Sequence, residues 1–156
     1  MRIVIAAVGR LRAGPEAELT AIYLSRAANA GRALGFKSVD LVEVEGKPAG
    51  DARAEAGALF RATPDDARKI LLDERGAEWA SRQLAEKLAR WRDDGVASAC
   101  FWIGGADGVS QSVKDQADEK LALGRQTWPH RLVRVMISEQ IYRAVTILSG
   151  NPYHRD

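Results

Sequence analysis

The chain is short of the residues that most redox and metal chemistry needs. Of its 156 residues one is cysteine, Cys100, and two are histidine, His130 and His154. A single cysteine permits no internal disulfide and no cysteine-based metal cluster. Cys100 also lies inside an apolar run, where a thiol is an ordinary core residue. There is no His-Glu-x-x-His helix and no nucleophile elbow around a serine or cysteine. Metal catalysis and covalent Ser or Cys catalysis therefore have little support. No run of about eighteen apolar residues occurs, which argues against a membrane-spanning helix. The opening "MRIVIAAVGRLRAG" lacks the cleavage site of a signal peptide and reads as a first strand. The expectation is a soluble, cytoplasmic protein with no membrane or metal partner.

An excess of charge of one sign is missing too. Lys and Arg number 23 and Asp and Glu 21, a net charge of +2. Position says more than the total. Residues 121–156 carry Arg125, Arg131, Arg134, Arg143 and Arg155 against Glu139 and Asp156. All five cations of this basic quarter are arginine, whose planar fork suits phosphate. Scattered on a solvated surface they mean nothing; gathered, they suit nucleic acid.

What is present is an alternation of strands and helices. "RIVIAAV" (2–8), "SVDLVEV" (38–44), "ARKILLD" (67–73) and "ASACFWI" (97–103) read as strands. Between them, 15–30 begins with Pro15 and two first-turn acids, 51–63 is alanine-rich, and 81–95 has Ser81 as a plausible N-cap. In that last stretch Leu84, Leu88 and Trp91 recur at helical spacing before Gly95. Such alternation predicts an α/β fold: a mainly parallel sheet with helices on both faces, in one domain spanning 1–156.

The final helix, from His130 to about Ser149, is apolar on most sides, so it is either a central core helix or is partly covered by a second subunit. Glu139 and Arg143, four apart in its middle, are spaced for an ion pair. They form either a solvent-facing stripe or a polar constellation at an interface. Gly150 and Pro152 end the helix, and the chain closes on "NPYHRD". Tyr153, His154 and Arg155 there offer an aromatic face, an imidazole and a cation, in a position where chain ends are usually frayed.

"CFWIGGADGVS" (100–110) places Gly104, Gly105 and Gly108 directly after the fourth strand. The loop has no lysine, so it is no P-loop, and its glycine order and position do not fit a dinucleotide fingerprint. A tight turn and a ligand cradle both remain open.

Three blocks decide between them. "ILLDERGAEWASRQLAEKLARWRDDG", "FWIGGADGVS" and "TWPHRLVRVMISEQIYRAVTILSGNPYHRD", in that order, resemble the ribosomal RNA large subunit methyltransferase H family. That family belongs to the SPOUT class of S-adenosylmethionine-dependent RNA methyltransferases. The resemblance covers the whole chain and is densest from Ile70 onward. It implies an α/β sheet with a C-terminal trefoil knot, a feature no sequence pattern reveals. It implies S-adenosyl-L-methionine as cofactor, held by backbone groups of three loops: Leu72; Gly104, Gly105 and Gly108; and Leu123, Gly124, Arg125, Gln126, Thr127 and Trp128. It also implies a homodimer and methylation of N3 of a pseudouridine in 23S rRNA of the assembled ribosome.

On that resemblance the enzyme must align N3 with an electrophilic methyl and help it lose a proton. His154 is the first candidate base by residue type and Glu139 the second. Tyr153 is suited to stack on the uracil ring. Arg143 and Arg155 are suited to phosphate or base carbonyls, and Tyr153, His154 and Arg155 also serve as substrate contacts. One stretch departs from the family. Where small and hydroxyl residues usually precede "TLPH", this chain has Gly124-Arg125-Gln126 before "TWPH". Backbone contacts survive such a change more easily than side-chain ones, and Arg125 is expected to point away or to serve the RNA. Two other readings remain: a SPOUT methyltransferase of another RNA, and a non-enzymatic ribosome-binding factor.

Overall fold

A computed structural model describes residues 1–154. Arg155, one of the expected tail residues, lies outside them. Five strands form one sheet in the order β2-β1-β4-β3-β5. They are β1 (Arg2–Val8), β2 (Ser38–Val44), β3 (Arg68–Glu78), β4 (Ser98–Ile103) and β5 (Glu119–Ala122). Every pairing is parallel. The helices are α1 (Pro15–Gly31), α2 (Ala52–Ala62), α3 (Ser81–Asp93), α4 (Gln111–Gln116) and α5 (His130–Leu148).

β1 and β4 are central and read as continuous apolar runs because both of their faces are covered. Alternate residues feed two cores. Ile3, Ile5, Phe101 and Ile103 pack with α1, α3 and α5 residues such as Ala27, Leu88 and Ile141. Val4, Ala6, Cys100 and Trp102 pack with Leu59 of α2 and Val113 of α4. Trp102 is fully buried, and its indole N–H donates to Thr63 Oγ1 at 2.8 Å. Burial pushes the Cys100 thiol up to about 11, so it is an inert core residue.

The expected alternation holds, with additions. β5 is four residues long and α4 six, too short for a period to show. β3 runs on to Glu78 rather than stopping at Asp73. It does so through a break: Leu121 of β5 pairs with both Leu72 and Ala77, so residues 73–76 bulge out of the sheet. Ser81 is not the N-cap of α3. Ala80 holds that place, its N–H donating to Gln83 Oε1 at 2.8 Å, and the Ser81 hydroxyl instead donates to Gln140 of α5. The three apolar residues Leu84, Leu88 and Trp91 do face inward.

α5 lies between α1 and α3 and buries Ile137, Ile141, Ala144 and Val145. It also buries Arg134 completely. That guanidinium caps the end of β1, donating from Nη2 to the carbonyls of Val8 (2.6 Å) and Gly9 (2.9 Å) and from Nη1 to Glu43 Oε1 (2.8 Å). A buried arginine survives because both of its terminal nitrogens are matched in this way, although its Nε has no partner. The pair fixes the start of α5 over the C-terminal edge of the sheet.

Candidate cofactor cleft and tail cluster

In an open parallel sheet, ligands bind beyond the C-terminal ends of the strands. A cleft of about 390 Å³ lies there, past β3, β4 and β5. Three segments make its walls: the β3 bulge, the glycine loop and the connection from β5 to α5. The start of α5 supplies His130 and Val133.

Two of the segments are shaped by close backbone approach. At Gly76, which closes the bulge, a Cβ would lie 2.7 Å from the backbone of Lys120 and Leu121, so only glycine lets β5 pass. At Gly104 a Cβ would lie 2.6 Å from Val109 Cγ1 and 3.0 Å from the Gly108 carbonyl, because the loop folds back on itself. Its turn is closed by the Gly108 N–H donating to the Gly105 carbonyl at 3.2 Å. The third segment closes on itself through a side chain, with the Trp128 indole N–H donating to the Leu123 carbonyl at 3.1 Å. Thr127 then ties it to the bulge, its hydroxyl donating to Glu74 Oε2 at 2.8 Å.

Leu72, Gly104, Gly105, Gly108, Leu123, Gln126, Thr127 and Trp128 all line this cleft. Gly124 and Arg125 do not. Gly124 faces a neighbouring groove, and the Arg125 side chain is 94% exposed, 3.6 Å from Glu78. Of the three departing residues, Gln126 alone thus belongs to the cleft's wall. Asp73, Glu74 and His130 were given no role from sequence and also line it. Burial first, then the nearby Arg134 and Arg131, hold the His130 imidazole below its ordinary value. It is therefore neutral near pH 7.

The remaining expected residues gather elsewhere. Glu139 Oε1 accepts from Arg143 Nε at 2.9 Å, from Arg143 Nη2, and from the Tyr153 hydroxyl at 3.0 Å. Gln140 donates to the other oxygen at 2.8 Å. Tyr153 lies under the Arg143 guanidinium, 5.0 Å from its ring centre, and against Tyr142 at 4.6 Å. Burial, then the bond to Glu139, push the Tyr153 phenol well above the ordinary tyrosine value. Arg143 Nη1 sits 3.4 Å from His154 Nδ1. Tyr153 and His154 are thus folded back on α5, and Glu139 and Arg143 form a polar constellation with them. None of Glu139, Arg143, Tyr153 and His154 lines the cleft.

Glu139 instead borders a second groove of about 510 Å³, between α1, α3 and α5. It is lined by apolar residues including Leu19, Trp79, Val135 and Met136, and it shares Leu121 and Leu123 with the cleft. Among the described residues, no cluster of His, Cys, Asp and Glu could hold a metal ion. No helix there is long and apolar enough to cross a membrane.

A parallel sheet with a ligand cleft of this kind is matched by the family described as "Predicted SPOUT methyltransferase", over residues 1–154. A solved "probable methylase family protein from Haemophilus influenzae Rd KW20" shares the fold, with a TM-score of 0.52 at 14% identity, covering 99% of this chain and 70% of that one. The chain belongs to the SPOUT methyltransferases. Within them it is 56% identical to the ribosomal RNA large subunit methyltransferase H of Paracoccus denitrificans (strain Pd 1222) and to that of Phenylobacterium zucineum (strain HLK1), over the full length of both. It is a member of that family.

Proposed function

We propose that this chain transfers a methyl group from S-adenosyl-L-methionine to N3 of a pseudouridine in 23S rRNA of the assembled ribosome, as a cytoplasmic homodimer. The observation that carries the reading is the cleft walled by three backbone-rich segments, in a chain that also holds the Glu139-Arg143-Tyr153-His154 cluster. The relatives named for large-subunit RNA supply the substrate class.

The cleft fits the cofactor in kind. Ile103, Leu121, Val133 and Trp128 offer apolar surface to an adenine ring, and the bare backbone of Gly104 and Gly105 admits close contact. Asp73 and Glu74 in the lining would offer negative charge to a sulfonium, beside Arg75 and Lys114. Bound there, S-adenosylmethionine supplies an electrophilic methyl. The chain's own residues must then present N3 in line and accept its proton. Glu139 has both oxygens engaged, which makes it a positioning group for the tail. His154 is the residue to take the proton, Tyr153 to stack on the base, and Arg143 and Arg155 to hold its carbonyls or a phosphate.

A homodimer reconciles the two regions, because one copy's tail can serve its partner's cleft. The apolar groove supports this, together with Leu19 at 43% exposure, Ile22 at 44%, Leu132 at 39% and Trp128 at 37%. The trefoil knot belongs to the same reading, supported by the register break that lets β5 pass under the β3 bulge at Gly76.

The test is labelled-methyl transfer to ribosomes lacking the modification, beside bulk transfer RNA. Label at a 23S pseudouridine is the expected result. Label in transfer RNA instead would move the substrate, and cofactor binding with no transfer to either would refute the substrate assignment.

A further inference from the structure

We infer that the loop joining β1 to α1 and the first turn of α5 together form a surface that tracks RNA phosphates beside the cleft. The inference deepens the reading above by naming where the strand next to the target nucleotide lies.

The loop runs Gly9-Arg10-Leu11-Arg12-Ala13-Gly14 and contains no acid. It is held in shape. The Leu11 N–H donates to Glu43 Oε1 at 2.6 Å, and that same oxygen accepts from Arg134 Nη1 at 2.8 Å. Arg134 also grips the carbonyls of Val8 and Gly9. One carboxylate and one buried guanidinium therefore lock the loop to the start of α5. Arg131 lies one turn before Arg134, next to His130 in the cleft wall.

The cations of this surface are underused within the chain. Arg12 and Arg131 are exposed, and among the described residues neither has an acidic partner. Arg68, Lys87, Arg134 and Arg143 by contrast all pair with carboxylates. Arg10 meets only Glu45, at 3.4 Å with side chains 72% and 50% exposed, a contact that water screens and a phosphate can replace. Arg131 is also placed against its helix: α5 has no acid in its first turn, and a cation there opposes the dipole. Phosphate from outside offsets that cost. Both acids of the cleft lining, Asp73 and Glu74, lie in the β3 bulge, where Arg75 offsets part of their charge; the loop from Gly9 to Gly14 and the first turn of α5 hold no acid at all. A strand entering the cleft is therefore steered along the arginine side.

The test compares two double variants in the full chain. R12A/R131A strips the surface. R26A/R32A removes the same charge from the far end of α1 and the turn after it, near the start of β1. Affinity for unmodified large ribosomal subunits is measured against potassium chloride concentration, with cofactor binding and thermal midpoint as checks on folding. R12A/R131A is expected to weaken binding at least about tenfold and to cut the slope of log K against log salt by about 1.4, two single-strand phosphates' worth. It should raise KM with kcat at saturation unchanged, while R26A/R32A stays near wild type. Equal losses in both variants, or an unchanged slope in R12A/R131A, overturn the inference. Absence of methyl transfer by the wild type would sink the proposed function instead, and the salt slope would still report on the surface.

Discussion

The cleft and the tail cluster are built on opposite principles. The cleft is shaped largely by backbone: Gly76 and Gly104 stand where a Cβ would collide, and the connection from β5 to α5 closes on the Leu123 carbonyl, with one side-chain bond, Thr127 to Glu74, tying it to the bulge. The tail cluster is made of side chains converging on Glu139. A backbone site tolerates exchanged side chains and fails when a Cβ is added. A side-chain site behaves the other way round. On that principle an exchange such as Gly124-Arg125-Gln126 can be made without closing the cleft.

The two regions should separate under mutation. The largest effect is expected for His154→Ala: methyl transfer falls by roughly 10²–10⁴-fold, the range of a lost acid–base group, with cofactor affinity intact by calorimetry. Gly104→Val should do the reverse. An overpacked site costs about 1–3 kcal/mol, so cofactor affinity drops roughly tenfold to hundredfold, and the tail's bonds persist. Glu139→Gln keeps the shape but weakens partly buried charge-assisted bonds of about 1.5–3 kcal/mol, so a several-fold loss in kcat is expected with cofactor affinity unchanged.

Smaller effects sharpen the contrast. The Tyr153 phenol is raised in the folded state, so its contribution to stability is complete below the ordinary tyrosine value of about 10. It is lost as pH climbs from there through the folded value. Tyr153→Phe should flatten the fall in stability above about pH 10, read by denaturant midpoints across that range. Arg125→Ser should change cofactor affinity less than about twofold, since its exposed side chain points out of the cleft.

Much of this was legible in the sequence where long patterns repeat. β1 and β4 are buried on both faces and announce themselves as apolar runs, and Leu84, Leu88 and Trp91 mark the inner face of α3. β5 and the second half of β3 were not legible, because one is four residues long and the other, "ERGAE", is charged and partly outside the sheet. The glycine loop showed that something approaches closely but not what. The role of Arg134 had no local signal, since its partners Val8, Gly9 and Glu43 lie about ninety or more residues away in the chain. His130 was visible in "TWPH", yet only the fold turns it into the cleft wall.

On the proposed function, cleft and tail act together across two copies of the chain. Complementation between Gly104→Val and His154→Ala tests it most directly. Assayed with cofactor well below what Gly104→Val needs for saturation, each variant alone should be nearly inactive, and each should still dimerise by size-exclusion chromatography. Mixed by co-expression, they should recover roughly a quarter of wild-type methyl transfer, because random pairing makes half of the dimers mixed and each mixed dimer holds one intact cleft facing one intact tail. No recovery in a mixture shown to contain mixed dimers would contradict the claim and return the tail to its own chain's cleft.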